Sequence, residues 1–190
     1  KYKESHTFLS EAIERTQDPN AFLFRKARIY SALGDHAGAL SQLRRLIVLN
    51  PYGGQELWFY ALLAKGTEFE ELAHSDVDLL REKLYIEDGS LDFFAAAYHI
   101  LGDEDTANLY FNAGLDRDCG TLDGHLKSNC EIWYSSMIGQ VSSEQLGMME
   151  SLIKDYPARS DFLDTYAVAL GVSGNIDAAR NASLQAAMRD

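Results

Sequence analysis

A period of 34 residues runs through the chain, and it restricts the fold more than any other feature of the sequence. Leu-Gly-Asp occurs at 33–35 and again at 101–103, and Ser-Gly-Asn at 173–175. Gly34 and Gly102 are 68 residues apart, two periods; Gly102 and Gly174 are 72 apart, two periods and four extra residues. Around each glycine the same residue types return. Leu23, Leu91 and Leu163 stand eleven positions before it, Ala27, Ala95 and Ala167 seven before, and Tyr30, Tyr98 and Leu170 four before. Ala39, Ala107 and Ala179 stand five after, Leu43, Phe111 and Ser183 nine after, and Leu46, Gly114 and Ala186 twelve after. Self-similarity at a fixed period of this length marks stacked supersecondary units, none of which buries its apolar face alone.

Each unit reads as two helices joined by a tight turn. Spacings of three and four place the apolar residues on one stripe of each helix. Alanines on either side of the turn let the two helices approach closely. The glycine admits the left-handed backbone that ends the first helix. Asp35, Asp103 or Asn175 then offers an acceptor to the free N–H groups of the second. Pro51, seventeen residues after Gly34, stops the second helix because it has no N–H to donate and its ring clashes in a helix interior.

The pattern resembles the tetratricopeptide repeat, a family with this period. The segment Leu23-x3-Ala27-x2-Tyr30-x3-Gly34-x4-Ala39-x3-Leu43-x2-Leu46-x4-Pro51 carries the resemblance best, with Leu23 where the family usually has Trp. Residues 88–121 and 160–190 repeat it. Two weaker copies fill the gaps. Residues 54–87 place Leu57, Ala61, Ala64, Ala73, Val77 and Leu80 on the expected sites, with the turn glycine, Gly66, two residues early. Residues 126–159 place Trp133, Met149, Leu152 and Pro157, with Gly139 one residue early, and Ser142-x-x-Gln145 reads as a capping box. The fold implied is all-α: a right-handed α-α superhelix, or solenoid, of about five hairpins at 20–53, 54–87, 88–121, 126–159 and 160–190, preceded by a capping helix over 1–19. The four extra residues fall in 115–125, the one loop-like stretch of any length.

Motifs that carry chemistry are lacking. There is no G-x-S-x-G, Gly-rich phosphate loop, C-x-x-C or H-E-x-x-H. His6, His36, His74, His99 and His125 are scattered, with no pair at ligand spacing. Asp116, Asp118 and Asp123 suggest a calcium loop, but Gly120 comes too early and Lys127 stands where the closing Glu belongs. These aspartates read as turn formers and caps. Asn181-Ala-Ser183 matches a glycosylation sequon but lies inside a predicted helix. No catalytic residue, metal or cofactor is assigned, and the chain reads as a non-enzyme. A net charge of −12 repels phosphate backbones and sets nucleic acid aside as a partner. No apolar run approaches the roughly 18 residues of a spanning helix, so direct membrane insertion of this segment is not expected. Cys119 and Cys130 admit two readings: a disulfide stapling the 115–125 stretch to the next helix in an oxidising compartment, or two thiols in a reducing one. The compartment is undetermined, with cytoplasmic set ahead of periplasmic.

The resemblance also implies a function. In this family the first helix of each repeat lines a concave face that holds a protein or peptide, through residues ten, six and three positions before the turn. The groove so expected is formed by Phe24, Arg28, Trp58, Leu62, Lys65, His99, Tyr134 and Met137, with Cys130 among them. Some members clamp a terminal carboxylate with Lys, Arg and Asn; Arg28 and Lys65 are present and the asparagines are not. The basic cluster Arg25, Lys26 and Arg28 would meet an acidic stretch of the partner. The expectation is a protein–protein interaction scaffold, an adaptor or assembly factor. The alternative is a regulatory or localisation domain cut from a larger, membrane-anchored or enzymatic protein, suggested by a chain that starts at Lys1 and not at Met. Homo-oligomerisation is left open.

Overall fold

The computed structural model describes residues 7, 20–50, 54–83 and 90–189. The expected capping helix over 1–19, apart from the helical Thr7, and the stop at Pro51 lie outside the described residues. Among the described residues there are ten α-helices and no strand. They are α1 (Asn20–Ala32), α2 (His36–Leu49), α3 (Gly54–Ala64), α4 (Glu70–Lys83), α5 (Leu91–Leu101), α6 (Glu104–Gly114), α7 (Gly124–Met137), α8 (Ser143–Asp155), α9 (Ser160–Val172) and α10 (Ile176–Ala187). A five-residue π-helical turn, Leu115–Cys119, follows α6. The chain divides into two compact units, residues 1–107 and 108–190, with the boundary inside α6.

The helices form five consecutive hairpins of tetratricopeptide type, and the turns show why. Gly34, Gly66, Gly102, Gly139 and Gly174 all have φ between 68° and 94°, the left-handed backbone that a Cβ disfavours. In four of the turns the next residue donates its N–H to the carbonyl five residues back: Asp35 to Tyr30, Asp103 to Tyr98, Gln140 to Ser135 and Asn175 to Leu170, at 2.8–2.9 Å. This bond closes the last turn of a helix that ends on glycine. The second helix is then capped from its N-terminal side. The Asp35 carboxylate accepts from Gly38 N–H at 2.8 Å, that of Asp103 from Thr106 at 3.1 Å, and the Asn175 amide oxygen from Ala178 at 3.4 Å. Ser142 and Gln145 form the reciprocal capping box.

The second turn differs. Gly66 comes two residues early, and the connection is correspondingly long. Glu70 accepts from Gly66 N–H and from Lys65 Nζ, both at 2.7 Å, and holds that longer turn. Register is kept: Leu57, Ala61, Ala64, Ala73 and Val77 are all buried at the positions that the period assigns.

In the first unit α1 packs on α2, α2 on α3, and α3 lies beside α5. Ala27 and Ala39 are fully buried, so α1 and α2 meet almost backbone to backbone. Each buried leucine of this core, such as Leu23, Leu43 or Leu46, contributes about 1.5–3 kcal/mol of burial. The buried tyrosines keep their hydroxyls satisfied: Tyr60 donates to Asp76 at 2.7 Å and Tyr98 to Asp78 at 2.8 Å. In the second unit Ile132, Met149, Phe162 and Ala169 form the centre of the core, with α7 and α8 both packed on α9.

Candidate functional site

The first helices of the first unit, α1, α3 and α5, present the face on which a bound segment is expected. Phe24 of α1 meets Phe59 of α3 edge-on, with centroids 5.9 Å apart, which joins the two helices along that face. Arg28 is exposed, Leu62 is 46% exposed, and Phe24 and Trp58 are half-buried. Arg25 is exposed beside Arg28, and Lys26 lies over the Tyr30 ring at 5.8 Å. Apolar surface beside cations is thus open to solvent here.

Lys65 and His99 are held in place. Lys65 Nζ reaches Glu70 at 2.7 Å and the Leu101 carbonyl at 3.3 Å, bracing the α3 turn against the end of α5. The Lys65 hydrogen bond, with the Gly66 N–H behind it, holds the Glu70 carboxyl below its ordinary value. His99 Nδ1 lies 2.9 Å from Glu104. Both side chains serve the hairpin turns, and a ligand would have to displace an existing partner to use them.

Tyr134 and Met137 do not line an open groove. They are only 2% and 6% exposed. For Tyr134 the reason is the inserted stretch. The π-helical turn packs on α7 and occupies the face that Cys130 and Tyr134 would otherwise offer. Of the two readings open for the cysteines, the structure has the bonded one. Cys119 of the turn and Cys130 of α7 form a disulfide, with Cα atoms 5.6 Å apart. Four residues further along α7, the Tyr134 hydroxyl donates to Asp118 at 2.5 Å, and its ring lies edge-on to Phe111 and against Gly114. Arg117 pairs with the same carboxylate through Nε and Nη2. That guanidinium foremost, and the Tyr134 hydroxyl after it, hold Asp118 below the usual carboxylate range against the opposing effect of its partial burial. The insertion therefore covers α7 in the fourth hairpin, whereas α1 and α3 of the first unit keep exposed side chains at Arg28 and Leu62.

The sequence reading missed Phe59, which stands nine positions before the expected turn, a position that the repeat pattern assigns neither to the core nor to the groove, and the furrow between α2 and α4. Exposed apolar residues at helical spacing, Leu72 and Leu79 in α4, were the available signal for that furrow.

No family model and no curated protein matches the chain. Among solved structures it is similar to a tetratricopeptide repeat protein from Parabacteroides merdae, at 16% identity and a TM-score of 0.49, over 99% of this chain and 72% of that one. It is also similar to a double mutant of MamA RS-1 ArsTM, at 11% identity and a TM-score of 0.39, over 99% and 84% of the two chains. A MamA structure aligns at 12% identity and a TM-score of 0.33, over 86% and 93%. The fold class follows from this chain's own glycine turns, caps and buried alanines: it is a helical repeat protein with a tetratricopeptide-type fold. Among the described residues, no helix is long and apolar enough to cross a membrane.

Proposed function

We propose that this protein is a non-catalytic interaction scaffold, which holds a peptide or protein segment on the face formed by α1 and α3. The observation that carries the reading is the open strip Phe24, Arg28, Trp58 and Leu62, where aromatic and aliphatic surface lies beside an exposed guanidinium. Aromatic residues and arginine are the types that dominate binding energy at protein interfaces. The neighbouring Arg25 and Lys26 favour an acidic stretch in the bound segment, which they would steer on approach.

The test is capture of partners from the source cell by the 190-residue chain, against an Arg28→Glu, Leu62→Asp variant. Both side chains are exposed, so helicity should be retained and is checked by circular dichroism. A photo-crosslinker at position 62, with one at the exposed Leu109 as control, reports where the partner sits. The expected result is a partner held by the parent, lost by the variant and crosslinked from position 62. A partner retained equally by the variant and crosslinked only from position 109 defeats the proposal.

A further inference from the structure

A furrow of about 560 Å³ runs between α2 and α4, the second helices of the first two hairpins, and the groove-lining pattern of first helices assigns it nothing. Its two ends are apolar. Leu72 lines one end above the buried Leu40, and Val48 and Leu79 line the other. Val48 is 68% exposed and Leu79 47%, an unusual state for such side chains lining a concavity. Between the two ends lies a polar bridge. Arg44 binds Asp76 through two nitrogens at 2.7 and 3.1 Å, and the buried Tyr60 hydroxyl donates to the same carboxylate. Arg45 lines the furrow, exposed and with no ion-pair partner among the described residues.

We infer that this furrow is a second docking surface, and that it takes an acidic amphipathic helix from a partner protein. Three features fix the chemistry of the occupant. The first is spacing. Leu72 and Leu79 are seven residues apart along α4, and Leu40 and Val48 eight along α2, so the apolar ends lie about 10–12 Å apart at 1.5 Å per residue. A helix presenting apolar anchors at i and i+7 has that separation on one face. The second is the Arg44–Asp76 bridge, which asks for a small or polar residue midway, at i+3 or i+4. The third is charge. Asp76 is already neutralised by Arg44, which leaves Arg45 as a cation lining the furrow with no ion-pair partner among the described residues. A carboxylate on the occupant's flank pairs with it, and a lysine there is repelled.

The same features weigh against a second copy of this chain. The exposed Ile176 and Leu184 of α10, eight residues apart, come near the anchor spacing, but the exposed Arg180 stands between them on the same face and would meet Arg44 and Arg45. This inference does not depend on the reading of the α1 and α3 face, and the two surfaces are separable by mutation.

The experiment is selection from a displayed library of helical peptides that fixes leucine at i and i+7 and randomises the flanks, using the whole 190-residue chain as target. Selected peptides are synthesised and titrated by fluorescence anisotropy. We expect enrichment of Asp and Glu on one flank, affinity reduced at least about tenfold by Leu79→Glu, and a smaller loss with Arg45→Glu that a peptide carrying Lys in place of the carboxylate restores. Binding should be unchanged by Arg28→Glu, Leu62→Asp. Leu79 is exposed, so folding of the variant is expected and is checked by its melting temperature. Basic peptides emerging from the selection, or peptides that bind the Leu79→Glu variant equally, would overturn the inference. So would concentration-dependent self-association abolished by Leu79→Glu, which would give the furrow to a second copy.

Discussion

Gly114 supports the plugged fourth hairpin, and replacing it with alanine separates two opposing effects. Its backbone is ordinary right-handed helix, φ −68° and ψ −42°, so an alanine fits the chain there. By propensity alone Gly→Ala in a helix stabilises by about 1 kcal/mol. The space is the difficulty. A Cβ on Gly114 would lie 2.5 Å from the Tyr134 hydroxyl oxygen and nearer still to its ring, and Tyr134 is buried with its hydroxyl committed to Asp118. Overpacking costs about 1–3 kcal/mol. Displacing the ring also forfeits a hydrogen bond to a charged group, worth about 1.5–3 kcal/mol. The steric loss wins, and Gly114→Ala is expected to destabilise by about 1.5–5 kcal/mol. At a central value of about 3 kcal/mol, Tm falls by about 6–12 °C for a chain of this size. In a Tyr134→Ala background the obstacle is gone and only the propensity remains, so the same substitution should raise Tm by about 2–4 °C. Urea unfolding followed at 222 nm, with unchanged slopes, gives the four free energies of the cycle. The reasoning fails if Gly114→Ala stabilises the parent, or if its cost is the same with Tyr134 absent.

Reducing the Cys119–Cys130 disulfide opens a loop of eleven residues, and the chain-entropy relation puts the cost at about 3 kcal/mol. Mass spectrometry after alkylation without reductant should find neither cysteine labelled; labelling of both would mean that the plug is not stapled. Asp118 gives a pH signature. Its folded pKa lies below its ordinary 3.8, so its stabilisation is present above about pH 4 and is lost as the pH falls through the folded value. Asp118→Asn should therefore be less stable than the parent at pH 7, with the gap narrowing below pH ~4; a gap independent of pH would show that the carboxylate charge does no work there.

Much of this protein was determined by the sequence alone, because the deciding interactions are local. Whether a backbone turns left-handed depends on one residue, and Gly34, Gly102 and Gly174 stand where the turns form. Caps reach three residues along the chain, so Asp35, Asp103, Asn175 and the Ser142–Gln145 box were legible from spacing. The alanine positions were legible too, since close helix approach leaves no room for a larger side chain. Gly66 shows the limit of that reading: its turn lengthens, and only the packed Leu57, Ala61 and Ala64 show that the register survives. The site was less legible. The periodic pattern placed Arg28, Leu62, Lys65 and His99 in one partner groove; Arg28 and Leu62 are exposed, while Glu70 and Glu104 hold Lys65 and His99. It placed Tyr134 and Met137 in an open groove. Both are buried, and what covers Tyr134 is a contact between the inserted turn and α7, made by Cys119 with Cys130 and Asp118 with Tyr134. Such a contact depends on where an irregular segment comes to rest, and a repeat pattern holds no information on residues that it does not repeat. The furrow between α2 and α4 belongs to the same class, because an exposed leucine becomes part of a binding surface only when a second helix brings its counterpart opposite.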